Sequence, residues 1–474
     1  MISKNLTIHW FRQDLRISDN PALINAAELG EVLPVYIFDT VNSGKHSIGA
    51  VQKIWLHYSL EALDKSLGGK LLVYSGDPLD ILLKLIAGSE TNRVFWNRCY
   101  EPWQISRDKN IKAELNKKNI EVESYNGSLL WEPWEVLKQD GSPYKVFTPF
   151  FRRGCLSAKE PRLPLDAPVN FSINDSKLSG LAIDELKLLP NKKWEKKITK
   201  KWKIGENAAK LKVTDFIANG LRDYKDGRNY PSQKNVSRLS PHLHWGEVSP
   251  NQVWYSAVDS DPGLSRNTDH FLSELGWREF SNSLLYFFPD LPSKNLQSRF
   301  DNFEWIEDPK LLEAWQSGST GFPIVDAGMR ELWNTGYMHN RVRMIVGSFL
   351  VKNLRLDWRK GADWFWDWLV DADLANNSAG WQWIAGCGAD AAPYFRVFNP
   401  ILQGEKFDKE GHYTKTYLPE LTNLPNKYLH APWMAPELIL EQAGIKLGKT
   451  YPKPIVDLKL SRERALEAFA NLKN

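Results

Sequence analysis

Five short apolar, β-branched runs punctuate the first third of the chain: LTIHWF (6–11), VLPVYIF (32–38), KLLVYS (70–75), RVFWN (93–97) and IEVESY (120–125). Between them apolar residues recur at helical spacing, most clearly in AVQKIWLHYSLEALDKSL (50–67). Strands that are apolar along their whole length are buried on both faces, and alternation with helices places those helices on both sides of a parallel sheet. The pattern predicts a five-stranded, parallel, Rossmann-like α/β domain over residues 1–135. The turn after the first strand, RQDLRISDN, lacks the Gly-x-Gly-x-x-Gly of dinucleotide folds. A ligand at the carboxyl ends of the strands is still compatible with an open parallel sheet.

Periodicity is lost over 151–204, where PRLPLDAPVNFSINDSKLSG carries Pro, Ser and Asp and NKKWEKKITKKWKIG is a basic run. We read residues 136–204 as a long interdomain linker and the basic run as a solvated face. From 205 to 474 the pattern is helical. GENAAKLKVTDFIANGLRDY, TDHFLSELGWREFSNSLLYFF, AGMRELWNTGYMHNRVRMIVGSFLVKNL and GADWFWDWLVDADLAN all place apolar residues at i, i+3 and i+4. The second half is therefore expected to be all-α, with no internal repeat.

Composition narrows the class. A chain of 474 residues, 42% hydrophobic, can bury a large core. A mean hydropathy of −0.43 and the lack of any long apolar run argue against membrane insertion. The N-terminus does not read as a signal peptide, and three widely spaced cysteines (Cys99, Cys155, Cys387) suit neither a disulfide framework nor a zinc site. The cytoplasm is the expected compartment, and four N-glycosylation sequons are chance matches. A net charge of +4 does not by itself argue for nucleic acid, although a basic footprint can be local. The 21 tryptophans exceed what a core needs and suit stacking and electron transfer.

Four clusters could carry chemistry. In DADLANNSAGWQW, Asp373, Asn377 and Trp381 fall at i, i+4 and i+8, one helix face. Buried carboxylates there need donors, and Asn377 can face a group that changes protonation without itself changing charge. In ELGWREF, Glu274, Trp277 and Arg278 share a face, as in an ordinary helix ion pair. In GYMHNRVRM, Asn340 and Met344 share a face flanked by Arg341 and Arg343. In NVSRLSPHLHWGEVSP, Val236 to Ser240 offer hydroxyls and an arginine for a phosphate, or Ser240 caps a helix. The GCG at 386–388 and the HLH at 242–244 are weak phosphate and metal signals.

Taken together, WFRQDLRISDN, SRLSPHLHWGEVSP, ELGWREF, TGFPIVDAGMREL, GYMHNRVRM, DADLANNSAGWQW and NPILQGEKFD resemble, in order, the photolyase/cryptochrome family. The resemblance spans residue 6 to past 450. It implies an N-terminal α/β domain, a linker and a helical domain holding a U-shaped FAD. Carried over motif by motif, the FAD contacts would be Tyr224, Val236, Ser237, Arg238, Leu239, Ser240, Phe271, Glu274, Arg278, Asn340, Arg343, Asp371, Asp373 and Asn377. Asn377 matches the position facing the flavin nitrogen that gains a proton, and Trp381, Trp358 and Trp305 match a relay of tryptophans to the surface.

The reaction implied is light-driven repair of a cyclobutane pyrimidine dimer in UV-damaged DNA, by electron transfer from excited reduced FAD to a flipped-out lesion. Glu274 would hydrogen-bond the thymine edges, Trp277 and Trp383 would sandwich the dimer, and Asn340 and Met344 would line its pocket. Arg228, Arg341 and Gln403 are the expected DNA contacts. Repair of the six-four photoproduct would need two histidines at the lesion, whereas MHNRVRM supplies one. Plant-type cryptochromes share YPKPIVD and PWMAPE but carry Asp where this chain has Asn377. A photolyase acting as a monomer is the expectation, with a cryptochrome photoreceptor as the alternative. Tyr337 stands where many relatives have Trp. The resemblance also implies an antenna chromophore, methenyltetrahydrofolate, deazaflavin or a second flavin, with Phe11, Arg12, Asp39, His46 and Glu101 as candidate contacts.

Overall fold

A computed structural model describes residues 5–89, 91–169, 171–174, 178–190, 192–391 and 395–472. The five apolar runs form β1 (Leu6–Phe11), β2 (Glu31–Asp39), β3 (Leu72–Gly76), β4 (Arg93–Asn97) and β5 (Glu121–Tyr125). All are parallel, in the order β3-β2-β1-β4-β5. Leu6 faces Glu31 and Phe11 faces Tyr36 across β1 and β2, and Ile8 faces Val94 across β1 and β4. Every residue of β1 is buried, as its unbroken apolar run requires.

The helices α1 (Pro21–Glu28), α2 (Ala50–Ser66), α3 (Pro78–Ser89) and α4 (Pro102–Asn116) connect the strands. Proline opens three of them, where its missing N–H costs nothing, and Asn20 caps α1 by accepting the Leu23 N–H at 3.1 Å.

The order of the sheet reverses beside β1, the usual crevice for a ligand. Here it is filled by side chains. Arg12 reaches Asp108 at 2.5 Å and the Asn97 carbonyl, and Arg107 bridges Asp39 at 3.1 Å and Asp108 at 2.8 Å. Both guanidiniums lie about 5 Å from the Trp10 ring.

The linker is not a free tether. Val32 and Asn174 exchange backbone bonds with Ser172 and Val32, both at 2.8 Å, and Leu181 N–H reaches the Val73 carbonyl at 2.7 Å. The basic run forms the helix Lys192–Thr199, with Lys196 and Lys197 exposed and Ile198 buried, as a solvated face should be.

The remainder is helical, but two of the long periodic runs break. Arg266–Phe287 is one helix of 22 residues, whereas 327–354 divides at Gly336 into Pro323–Thr335 and Asn340–Ser348. Gly336 adopts φ +66°, and a Cβ there would lie 2.7 Å from Val51. The run over 361–376 stops at Trp368 and resumes as Leu374–Ala385, leaving Asp371 and Asp373 in the gap.

The two halves are pressed together by backbone. A Cβ on Gly246 would lie 2.1 Å from the Gln13 carbonyl, and one on Gly49 would lie 2.4 Å from the Trp366 carbonyl. Buried Glu247 accepts the Trp55 indole N–H at 3.1 Å and the Gly205 N–H at 3.0 Å. No helix among the described residues is long and apolar enough to cross a membrane, and no cluster of metal-ligating side chains occurs among them.

Candidate functional site

Three helices and one extended segment enclose a cavity of about 550 Å3 in the helical half, a volume typical of cofactor sites. Arg266–Phe287, capped by Ser265, supplies Phe271, Glu274, Trp277, Arg278 and Ser281 at helical spacing. Leu374–Ala385 supplies Asn377, Gly380, Trp381 and Ile384 from one face. Asp373 caps that helix, accepting the Asn376 N–H at 2.8 Å. It therefore stands at the helix mouth rather than on the stripe with Asn377 and Trp381. Asn340–Ser348 adds Asn340, Arg343 and Met344, and Val236, Ser237, Arg238, Leu239 and Ser240 close one end with Tyr224.

That end is cationic. Arg343 donates to both oxygens of buried Asp371 at 3.0 and 2.9 Å and to the Met338 carbonyl at 2.7 Å. The Ser240 hydroxyl reaches Asp371 at 2.5 Å. The short helix Ser240–His244 begins after Leu239 without any side-chain cap, so the capping expectation for Ser240 is corrected: its hydroxyl serves a carboxylate 131 residues away. Arg238 holds a left-handed φ of 51°, a strained conformation of the kind that collects at functional sites. Arg238 and Arg343 each lie 5.2 Å from the Tyr337 ring, which Trp202 meets edge-on at 5.7 Å. Burial pushes the Tyr337 phenol up to about 12 against the pull of both arginines, so it remains a neutral donor.

Another part of the wall is aromatic and carries a Glu274–Arg228 ion pair. Trp277 stacks on Phe147 at 3.8 Å and 10°, and Trp383 also lines the wall. The expected Glu274–Arg278 pairing does not form. Glu274 is held by both terminal nitrogens of Arg228, one at 2.9 Å, while Arg278 meets buried Glu279 at 3.0 Å. Arg228 thus belongs to the cavity wall and is engaged by Glu274 in the free protein. Arg341 lies outside the cavity lining, bonded to Asn229 and 4.5 Å from the Phe407 ring; Gln403, half-buried on the helix Pro400–Phe407, also lies outside it.

His339 caps Asn340–Ser348, its Nδ1 accepting the Arg341 N–H at 3.2 Å. Burial, reinforced by four nearby arginines, lowers it to about 3, so it stays neutral and is not part of the wall.

Trp381 is buried in the wall, edge-on to Phe365 at 5.0 Å. A Cβ on Gly361 would lie 2.1 Å from its ring, so glycine makes the seat. Trp358 is fully buried, its indole donating to Asn295 at 3.0 Å, and Trp305 is half-buried against Phe303 at 4.5 Å.

Of the candidates for the second chromophore, Arg12 and Asp39 meet in one ion network through Asp108 and Arg107. Phe11 packs in the core beneath α2, Arg12 and Asp39 are committed to the buried ion pairs, and His46 lies half-exposed beside Trp366. Glu101 is buried between the halves.

The cavity suits FAD on its own chemistry. Two guanidiniums, Ser237 and Ser240 gather where a diphosphate needs donors. Asn377 donates its amide to the Ala362 carbonyl at 2.9 Å, leaving its oxygen for a ring N–H. Sequence reasoning missed Leu243, Phe365, Ala379 and Gly380, which line the cavity but carry no reactive group.

Comparison with known proteins agrees. Residues 7–169 match the family model described as DNA photolyase, and 271–471 match that of the FAD binding domain of DNA photolyase. A deoxyribodipyrimidine photo-lyase of Agrobacterium fabrum is 48% identical over 472 residues, covering 98% of each chain. Cryptochrome-1 of Arabidopsis thaliana is 37% identical over 99% of this chain and 71% of its own. The crystal structure of a bacterial class III photolyase from Agrobacterium tumefaciens superposes with a TM-score of 0.95 at 47% identity, covering 100% of this chain and 98% of that one. With both halves matched and the fold shared end to end, the chain belongs to the photolyase/cryptochrome family.

Proposed function

We propose that this chain is a deoxyribodipyrimidine photo-lyase that repairs cyclobutane pyrimidine dimers under blue light. The observation that carries this reading is one cavity whose lining combines arginines and hydroxyls with a tryptophan wall that holds Glu274. Bound FAD, reduced and excited, supplies the electron that opens the cyclobutane ring and receives it back.

The chain's residues bind, orient and tune. Arg238, Arg343, Ser237 and Ser240 hold the diphosphate, with Tyr224, Val236, Leu239, Phe271 and Arg278 shaping the seat. Asp371, Asp373 and Asn377 meet the polar edge of the flavin ring. Trp277, its far face already covered by Phe147, and Trp383 flank the flipped lesion, and Asn340 and Met344 complete its pocket. Glu274, once released by Arg228, accepts the base N–H groups and favours negative charge on the neighbouring carbonyls through fixed hydrogen bonding. Arg228 is then free to join Arg341 and Gln403 on the DNA backbone. Trp381, Trp358 and Trp305 return electrons inward from the surface.

The division into an antenna domain (1–135), a linker (136–204) and a repair domain (205–474) belongs to the same proposal, as do a monomeric state and a cytoplasmic setting. An antenna chromophore, methenyltetrahydrofolate, deazaflavin or a second flavin, belongs to it too. The filled crevice beside β1 argues that it seats elsewhere than against Arg12.

The test is a repair assay on dimer-containing single- and double-stranded DNA. Blue-light-dependent loss of dimers is the expected result. Flavin photoreduction without dimer loss would replace this reading with the cryptochrome photoreceptor.

A further inference from the structure

Behind the wall of the large cavity lies a second, partly open one of about 30 Å3 between the two halves of the chain, room for about two waters. Asp373, His244 and Arg278 line both cavities, whereas Glu101, from the loop after β4, lines only the small one. Glu101 accepts the Trp103 indole N–H at 2.6 Å.

The surrounding hydrogen bonds fix where protons sit. Gln52 accepts the Gly49 N–H at 2.9 Å through Oε1, so its Nε2 is the donor. That amide donates to the Ala372 carbonyl at 2.6 Å and to Nε2 of His244 at 3.2 Å. An imidazole nitrogen that accepts carries no hydrogen, so the His244 proton is on Nδ1, 3.6 Å from Asp373.

The carboxyls of this region are pushed apart. Burial raises Asp373, but His244, the Asn376 N–H and Arg278 outweigh it and hold the group below the usual carboxylate range. Burial, with the adjacent charge of Asp373, pushes Glu101 up to about 7. Glu279, also pushed up to about 7 by burial, is committed through one oxygen to Arg278 and through the other to the Leu130 and Trp131 N–H groups, and it lies outside the small cavity. Burial also raises Cys99 and Tyr100, which line the small cavity and keep their protons. Glu101, placed between Trp103 and the shared wall, is a carboxyl there that can exchange a proton near neutral pH.

We propose that Glu101, contributed by the α/β half, is the proton-exchanging residue of the flavin site, taking up a solvent proton when negative charge accumulates on the far side of Asp373. The proposal rests on the reading that the large cavity holds FAD. Electrons from an added reductant go to the flavin, and Glu101 changes only from carboxylate to carboxylic acid. It is a positioning residue, acting through Asp373.

The test is spectroelectrochemical titration of the flavin-loaded protein as a function of pH, with infrared difference spectra between reduced and oxidised states. Between about pH 7 and 9 the unsubstituted protein is expected to take up up to one proton more per flavin than Glu101→Gln, with no difference near pH 5. A carboxylic-acid C=O band should appear on reduction and be missing in Glu101→Gln. Trp103→Phe keeps the acid but removes a donor that favours its charged form, so its inflection should move to higher pH. Coincident curves in Glu101→Gln, a persisting band, or an unmoved inflection in Trp103→Phe would overturn the proposal. Such a result in a flavin-loaded, dimer-splitting enzyme leaves the repair reading standing, whereas failure of the unsubstituted chain to bind flavin removes that reading.

Discussion

Glu274 and Arg228 face each other across the mouth of the cavity with side chains 27% and 14% exposed. Truncating one partner of a fully buried pair costs about 3–5 kcal/mol, and exposed pairs couple by about 0–1 kcal/mol. The bidentate geometry and partial burial place this coupling at about 1.5 kcal/mol. Glu274→Gln leaves Arg228 one amide oxygen, the Tyr224 ring at 5.4 Å and His270 Nε2 at 3.1 Å but no counter-charge, so it should cost about 2 kcal/mol alone. Adding Arg228→Gln should then cost much less than it does in the unsubstituted protein. Urea unfolding of the four proteins of this cycle measures the coupling. In parallel, Glu274→Ala should slow dimer splitting about tenfold, the worth of one hydrogen bond to a charged group, while flavin content holds. Coupling below about 0.3 kcal/mol would show that the pair is not engaged in solution. Flavin lost in step with repair would show that Glu274 supports the cofactor and not the lesion.

Trp381→Phe should abolish photoreduction of the oxidised flavin, followed by absorbance under blue light, yet spare repair by chemically reduced enzyme; failure of both would sink the relay assignment. Arg341→Ala should weaken binding to damaged DNA uniformly across sequence contexts and lower the salt slope by about one, read by titration at several salt concentrations. Glu279 bears on the pH dependence of stability. Its folded value of about 7 exceeds the roughly 4.3 of an unfolded glutamate, so the folded state binds more protons between those values and stability falls as pH rises through that window. Glu279→Gln should remove about 3 kcal/mol of that fall, and unfolding curves at pH 5 and 8 that keep the wild-type difference would refute it.

What could be read from the sequence followed from short-range physics. The β strands and α2 were legible because unbroken apolar runs and helical spacing reflect burial directly. The breaks after Thr335 and Trp368 were not, because apolar spacing runs straight through them. Gly336 ends the first helix by a left-handed turn pressed against Val51, and the second gap exists to bring Asp371 to Arg343 and Ser240. Most motif residues of the flavin and lesion set converge on one cavity, since motifs carry the reactive groups. Their partners did not emerge: Glu274 chose Arg228 over the helical neighbour Arg278, and Ser240 chose a carboxylate over its own helix. Local spacing says which side chains share a face but not which distant chain segment arrives to meet them. The apolar walls, Leu243 and Phe365 among them, look like any other core residues until the cavity exists.

The glycine contacts that seat Gly246 on Gln13 and Gly49 on Trp366 carry a mechanical consequence. With main chain abutting main chain at these two points, a clamshell motion around a duplex would have to part closely packed backbone. The distortion needed for repair must then be borne by the nucleic acid, whose lesion site is already weakly stacked and easily bent. Recognition becomes a measure of how cheaply a stretch of DNA surrenders two bases to a rigid socket, and intact, stiff tracts are passed over because they resist.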